Sequence, residues 1–247
     1  MIQMRLIAII VIILISSGCP KTVPYNPFKI TQEEFYSKIK TIALAPVDIP
    51  GDLENKDQLK TKFEALVESK LHEAGFVVIP SREYGETWER MTKQMGGYFD
   101  AVTGKRDESK YKAVKEYTLR ELRTKFNADA VLYSGVRVVT APFSRDTASW
   151  HETSEALSSG WATFLVQHHG NVPALSFGVY VIDSNGVDMY LKMGGIQVLE
   201  KIAGGKLVPI PENEILANEE RNTEAVNIAL DPLVRKTPPS QAPGAKP

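Results

Sequence analysis

The chain contains four histidines, and two of them, His168 and His169, stand side by side. Histidine is the side chain best suited to proton transfer or metal binding near neutral pH. Neighbouring side chains on a strand point to opposite faces, so one metal ion cannot reach both without an irregular backbone. His151, between Trp150 and Glu152, lacks the second histidine four residues on that a zinc-peptidase helix requires. The pattern therefore predicts hydrated histidines in a loop or turn and no metal site.

Serine chemistry is the second activity that the residue types allow. His151 and Asp183 would be the base and the acid of a catalytic triad. Ser134 or Ser159 would supply the nucleophile, but no serine stands in a Gly-x-Ser-x-Gly turn. We therefore expect a protein that is not an enzyme and carries no cofactor. The alternative is a hydrolase or small-ligand binder that uses histidines and acids near a sheet.

One stretch offers side chains suited to contact with another protein. Tyr98 and Phe99 are followed by Lys105 and Arg106, and the stretch 98–107 separates two regions of helical spacing. Loops on a rigid scaffold carry function more often than the elements they connect, so these four are the candidate partner-binding residues. The helical stripe just before them is either core or a second recognition face, and it consists of Tyr84, Trp88, Met91 and Met95.

The single cysteine, Cys19, ends an N-terminal segment typical of export. Arg5 is followed by ten apolar residues, 6–15, and then by three small residues. A helix that spans a bilayer needs about 20 apolar residues, so this run is too short to be an anchor helix. With a single cysteine, disulfides within the chain are impossible.

The residues Ile15-Ser16-Ser17-Gly18-Cys19 resemble a bacterial lipoprotein signal. The resemblance implies that the Cys19 thiol carries diacylglycerol, that the chain is cut before it, and that a third acyl chain such as palmitate blocks the new amino terminus. It also implies a lipid-anchored protein of the bacterial cell envelope. Because Pro20 is not the aspartate that retains such lipoproteins at the inner membrane, the outer membrane, facing the periplasm, is favoured. An ordinary cleaved signal peptide with an unmodified cysteine is the alternative.

The charge balance excludes one class of partner. Cleavage before Cys19 removes one cation and no acid, so the mature chain carries 28 cations and 30 anions. Nucleic-acid binding requires a basic excess, so we expect no nucleic-acid partner. The 229 residues that remain of 247 can bury a core without disulfides.

The segments that must position these residues alternate between strand and helix patterns. Apolar runs predict three early strands, at 39–47, 76–79 and 130–139. Apolar residues on one face predict helices, at 28–38, 59–74, 82–95, 108–126 and 219–234. The end signals are Ser81 as an N-cap, Gly75 and Asn127 after helices, and Pro142 after the third strand. The predicted class is α/β, a mixed sheet with early parallel β-α-β units, a late antiparallel hairpin at 183–186 and packed helices.

The remaining stretches are less regular. The region 142–160 is polar and without a strong period, which predicts an excursion or long loop. Residues 161–167 suggest a strand, and 170–173 a turn. Gly194-Gly195 indicates a kink in a strand, because a phosphate loop would end in Gly-Lys-Ser or Gly-Lys-Thr.

These patterns divide the chain into four parts. Residues 1–18 are the signal peptide, and 19–38 are the lipidated cysteine with a proline-punctuated tether that lifts the folded part off the bilayer. Residues 39–234 form a single α/β domain. Residues 235–247 are a proline-rich tail that we expect to be disordered.

The order of elements is similar to periplasmic lipoprotein domains, those of the curli secretion channel subunit and of the lipoprotein activators of penicillin-binding proteins. Four segments carry the resemblance. They are a strand before a proline at 41–46, a strand after a glycine at 75–80, an Ala-Asp-Ala turn at 128–131 and a hairpin at 181–186. It implies a periplasmic domain of an uncharacterised lipoprotein. In the curli family, membrane-crossing hairpins alternate between polar and apolar residues. The nearest counterpart here is 161–182, where the histidine pair and Pro173 interrupt the alternation, so a pore is not implied.

The leading hypothesis from the sequence is therefore a non-catalytic, lipid-anchored envelope protein that acts as a protein-binding or assembly module. Its partners would be the bilayer, through Cys19, and another protein or copies of itself. The contact would be made through 98–107 or through 142–160.

Overall fold

The computed structural model describes residues 25–51, 53, 55–158 and 169–234. Several predictions concern residues outside these ranges: Cys19 with its signal peptide, the first part of the tether, Ser159, His168, the strand at 161–167 and the tail at 235–247. Within the described ranges, no helix is both long enough and apolar enough to cross a bilayer.

The elements are numbered along the described part of the chain. The helices are α1 (Gln32–Lys38), α2 (Lys56–Glu73), α3 (Ser81–Gln94), α4 (Glu108–Phe126) and α5 (Glu219–Leu230). The strands are β1 (Thr41–Leu44), β2 (Val77–Ile79), β3 (Ala130–Ser144), β4 (Thr147–Trp150), β5 (Thr153–Ala156), β6 (His169–Asp183), β7 (Asp188–Val198), β8 (Glu200–Ala203) and β9 (Lys206–Pro209). Short 3-10 turns, Glu212–Glu214 and Asp231–Leu233, flank α5.

The strands form one mixed sheet and one separate hairpin. β1 pairs in parallel with β2 on one side and with β3 on the other. β6 pairs antiparallel along the whole of β3, and β7 pairs antiparallel with β6. β4 and β5 extend the sheet from the far end of β3, and β8 pairs only with β9. This topology confirms the predicted α/β class, with parallel pairing early and an antiparallel hairpin late.

Helices cover both faces of the sheet. Successive strand residues point to opposite faces, and the neighbours Val131 and Leu132 in β3 are both buried. Leu132 belongs to the core formed with α1, α2 and α5. Val131 belongs to the core formed with α3 and α4. The domain therefore has three layers, with the sheet in the middle.

Most of the predicted helix ends are confirmed. Asn127, after α4, has a left-handed φ of 56°, and Gly75, after α2, has a φ of 85°. Ser81 is not the N-cap of α3 and that prediction is wrong. Pro80 occupies the cap position, and Ser81, the first helical residue, donates its hydroxyl to Glu64 of α2 at 2.8 Å.

The described part of 142–160 is not the long loop that the sequence predicts. β4 and β5 form a hairpin there, paired from Thr147 to Ala156. In β4 the side chains alternate, with Ala148 and Trp150 buried and the hydroxyl residues between them exposed. Ala148 and Trp150 belong to a third apolar cluster with Val172 and Val198. The sequence does not reveal the two-residue period of these strands, because small residues and hydroxyl residues differ little in hydropathy.

Two prolines that the sequence places at strand boundaries lie inside strands in the structure. β3 continues through Pro142 to Ser144, and Pro142 lies opposite Asn171 in the ladder with β6. Gly170 and Pro173, predicted to form a turn, lie inside β6. A strand accepts proline wherever the ladder does not need an N–H at that position, so a proline alone does not end one.

The folded body begins before residue 39, where the sequence analysis starts the domain. Phe35 in α1 is fully buried, and its ring lies 6.4 Å from that of Tyr190 in β7. Phe28 lies 5.1 Å from the same tyrosine ring. Residues 28–38 therefore pack as part of the main core.

Candidate partner-binding site

The loop 98–107 connects α3 to α4 and is held shut by its own backbone. Gly96 and Gly97, with φ of 69° and 80°, turn the chain out of α3. The Asp107 N–H then donates to the Tyr98 carbonyl, and the Asp100 N–H donates to the Lys105 carbonyl, both at 2.8 Å. These bonds close the loop into a narrow hairpin.

Asp100 organises the tip of this loop. One of its carboxylate oxygens accepts hydrogen bonds from the Val102 N–H at 3.1 Å, from the Thr103 N–H at 2.6 Å and from the Thr103 hydroxyl at 2.8 Å. The bonds from Thr103 are the main reason why the pKa of Asp100 lies below its usual value. These hydrogen bonds hold the backbone of the tip in one conformation.

The loop displays two apolar side chains to solvent. Val102 is 94% exposed and Phe99 is 61% exposed. Lys105 and Arg106 are also exposed. The guanidinium of Arg106 lies 4.4 Å above the ring of Tyr111 and pairs with Glu108 at 2.7 Å. Phe99, Val102 and Lys105 are thus the side chains that the tip presents outward.

A chain of aromatic rings supports the loop from below. Ring centroids are 4.9 Å apart for Phe99 and Tyr98, 5.3 Å for Tyr98 and Tyr111, and 5.5 Å for Tyr111 and Trp88. Trp88 in turn stacks 6.0 Å from Tyr84, which is buried. The ring contacts therefore run without a break from buried Tyr84 to the loop, and Tyr98 is the loop residue that packs against the helices.

The structure does not assemble the serine triad that the sequence allows. The Nδ1 atom of His151, in the β4–β5 turn, lies 2.8 Å from the hydroxyl of Ser176, and the same hydroxyl accepts a hydrogen bond from Trp150 Nε1 at 3.1 Å. Asp183 lies seven residues further along β6, about 23 Å away in an extended strand. Ser134 faces Val179 in the β3–β6 ladder.

The His151 and Ser176 pair is poorly placed for catalysis. Ser176 is fully buried, so a substrate does not reach its hydroxyl in this conformation. Burial lowers the pKa of His151, which favours the neutral ring at pH 7. His169 opens β6 and is exposed. Among the described residues, no three histidines, cysteines or acids are arranged to hold a metal ion.

A cleft of about 460 Å³ lies between β5, β8 and the start of α5. Glu155, buried at one wall, accepts hydrogen bonds from Lys201 at 2.5 Å, from Arg221 at 2.7 Å and from the Val198 N–H at 2.8 Å. Burial alone would raise the pKa of Glu155, but the hydrogen bonds from Arg221 and Lys201 outweigh it and lower the pKa. The carboxylate is thus engaged by internal donors. Sequence reasoning missed this cluster, because Glu155 fell in the presumed loop.

Comparison with known proteins does not assign the chain to a family. No family model matches it, and no curated protein matches it. It is similar to the solved structure of lipoprotein GNA1162 from Neisseria meningitidis, with 20% identity over 64% of this chain and 81% of that one, and a TM-score of 0.32. It is also similar to the PelC dodecamer from Paraburkholderia phytofirmans, with 11% identity over 81% and 91% of the two chains and a TM-score of 0.35.

A third similar structure is the hypothetical protein CT253 from Chlamydia trachomatis, with 15% identity over 64% and 73% of the two chains and a TM-score of 0.32. Likenesses this distant concern the arrangement of helices and strands alone. The fold itself defines the class as a three-layer α/β domain with a mixed sheet and a hydrogen-bonded loop that exposes apolar side chains.

Proposed function

We propose that this chain is a lipid-anchored, non-catalytic protein of the bacterial cell envelope whose domain binds another protein through the loop 98–107. The acyl chains on Cys19 would hold it at the outer membrane, with the domain in the periplasm. The observation that carries the binding function is the loop itself, a fixed turn that exposes Phe99 and Val102.

Support for anchoring comes from the residues before Cys19. A short apolar run, small residues and then cysteine are the pattern of a lipoprotein signal. Burying an acyl chain contributes about 0.8 kcal/mol per CH₂, and stable anchoring takes two or more lipid chains. Three chains on one residue would keep the protein at the membrane.

Support for a binding role comes from the free energy that exposure of the apolar loop tip costs, and from the residue types at the tip. Leaving a phenylalanine and a valine in water forgoes about 1.5 to 3 kcal/mol of burial for each side chain. Aromatic residues in a fixed conformation dominate the energetics of many protein interfaces. The hydrogen bonds from Asp100 keep the tip in one shape, which limits the entropy lost on binding.

Support for a non-catalytic role comes from the two polar clusters. Within the described ranges, His151 forms a hydrogen bond with the hydroxyl of Ser176, which is fully buried. The carboxylate at the cleft, Glu155, is neutralised by Lys201 and Arg221. An enzyme needs a reactive group that substrate can reach.

The binding function is tested by removing the apolar tip. We expect the double variant Phe99→Ser with Val102→Ser to lose at least tenfold in the yield of its main crosslinked partner, measured by crosslinking in native membranes and affinity capture. Val138→Ser is the matched control, because Val138 is another exposed valine, 59% accessible on β3. Equal yields from the wild type and the double variant would contradict the role of the loop.

The same experiment identifies the partner. Capture of a different envelope protein would support a module that binds another chain. A crosslinked product of two differently tagged copies would instead make a second copy of this chain the occupant of the loop.

A further inference from the structure

The first described residues of the chain are fixed to the edge of the sheet. The Lys29 N–H donates to the Met189 carbonyl at 2.9 Å, and the Leu191 N–H donates to the Pro27 carbonyl at 3.0 Å. Two residues earlier, the hydroxyl of Tyr25 donates to the Leu191 carbonyl at 2.8 Å. Phe28 therefore bridges to Tyr190 at the edge of the sheet beyond β7, and the folded body extends at least as far as Tyr25.

This attachment leaves a short connection to the lipidation site. Cys19 precedes Tyr25 by six residues, and a chain spans at most about 3.6 Å per residue, so their Cα atoms lie within about 22 Å of each other. A compact domain of about 210 residues has a radius of gyration of about 17 Å, which corresponds to a sphere about 43 Å across. A lipid on Cys19 therefore lets the half of the domain centred on Tyr25 reach the bilayer and keeps the opposite half away from it.

The side chains on that side suit a lipid headgroup region. Tyr25 is 60% exposed and Leu191 is 38% exposed. The ammonium group of Lys29 lies 5.9 Å from the centroid of the Tyr25 ring. Tyrosine is enriched where membrane meets water, and lysine extends its charge toward the headgroups while its alkyl stem contacts apolar groups.

We infer that the domain rests on the bilayer surface, with Tyr25, Lys29 and Leu191 facing the lipid headgroups. The opposite edge of the sheet, at β2, then points into the aqueous space. This orientation rests on the proposed lipid anchor at Cys19. It replaces the tether that the prolines before residue 28 suggest, because no more than six residues separate the lipid from the folded body.

The orientation is tested with the full-length lipidated protein in vesicles of phosphatidylethanolamine and phosphatidylglycerol. Lipidation occupies the sulfur of Cys19, the only cysteine of the chain, so an introduced cysteine is the only free thiol. Lys29→Cys places a fluorescent label on the inferred contact side. Val77→Cys is the matched control, because Val77 is 61% exposed on β2. Five strand spacings separate Lys29 from Val77, about 24 Å.

The readout is quenching by lipids that carry a nitroxide on the headgroup. We expect at least threefold stronger quenching at position 29 than at position 77, with both variants floating with the vesicles. Equal quenching at the two positions in a protein that floats would overturn the orientation and leave the anchor standing. Failure of the labelled proteins to float would overturn the anchor, and the orientation with it.

Discussion

At the residue scale, Glu155 holds together three parts of the chain that are far apart in sequence. Its side chain, 5% exposed, joins β5 to Lys201 in β8 and to Arg221 in α5. Its second oxygen accepts the N–H of Val198 at 2.8 Å. The β4–β5 hairpin is thereby tied to the end of β7 and to the last helix.

We expect Glu155→Gln to lower the free energy of unfolding by about 2 kcal/mol. Removing one partner of a fully buried ion pair costs about 3–5 kcal/mol. The cost is smaller here, because the Lys201 and Arg221 side chains are 39% and 41% exposed and can be hydrated. Urea unfolding at pH 7 measures the change. Glu224→Gln, at an exposed position of α5, is the control and should stay within about 0.5 kcal/mol of the wild type.

The same variant should change how stability depends on pH. Because the folded-state pKa of Glu155 is lowered, the unfolded chain binds more protons between that pKa and the unfolded value near about 4.3. The stabilisation is therefore present above the unfolded pKa and is lost as the pH falls through the folded pKa. Glu155→Gln should show a shallower loss of stability on acidification, and an unchanged slope would contradict the assigned role of the carboxylate.

At the scale of elements, α5 and β5 both approach the backbone of β7 closely. A Cβ atom on Gly194 would lie 2.1 Å from the Ala225 carbonyl oxygen of α5, and one on Gly195 would lie 2.6 Å from the Thr153 Cβ of β5. Successive residues of a strand face opposite sides. The glycine pair therefore admits a helix on one face and a hairpin on the other. It also lies beside an irregularity in β7, where the register with β6 shifts between Gly195 and Gln197, in line with the kink that the sequence predicts.

We expect Gly194→Ala to destabilise the domain by about 2 kcal/mol or more, because α5 must move to admit the methyl group. In a domain of this size that loss corresponds to a fall of at least about 4 °C in the melting temperature, measured by circular dichroism. Gly178→Ala in β6 is the control, because its nearest contact would be the flexible Met193 Cε at 3.5 Å. A similar melting temperature for the two variants would show that α5 does not approach β7 as described.

At the scale of the whole molecule, the folded body forms its core from residues of the domain itself. The body is stabilised by burial in three apolar clusters, and the described residues that contribute to them extend from Phe28 to Val234. We expect the body to fold in the same way with or without the proposed lipid on Cys19, because the residues of the domain themselves form these clusters.

Replacing Cys19 with serine should release the protein from the membrane. The variant lacks the thiol on which the proposed diacylglycerol would be attached, so we expect it in the soluble periplasmic fraction with an unchanged melting temperature. Cell fractionation measures the location, circular dichroism measures the melting temperature, and mass spectrometry of the mature amino terminus shows whether position 19 carries lipid. Thr22→Ser, a change of similar size in the same segment, should stay at the membrane. A Cys19→Ser protein that remained there would rule out the lipid anchor.

The sequence alone determined the elements whose signals are local. The helix predicted at 108–126 is α4, and the left-handed Asn127 follows it because apolar spacing and an end signal lie within one short stretch. The parallel β-α-β unit and the loop 98–107 follow for the same reason. Within that loop, the sequence alone identifies Phe99 as a candidate binding residue. The outward position of Val102 depends on the hydrogen bonds that Asp100 accepts, which the sequence does not show.

Only the tertiary structure decided which distant residues meet. His151, which the alternative catalytic triad would pair with Ser134 or Ser159, contacts Ser176, 25 residues further along the chain, and Glu155 meets Lys201 after 46 residues. The strands β4 and β5 form because β4 pairs with β3, β5 pairs with β4, and Ala148 and Trp150 become buried, although their own sequence is largely polar. Spacing along a chain fixes which side chains share a face, but the contact between two faces depends on how the whole sheet and its helices pack.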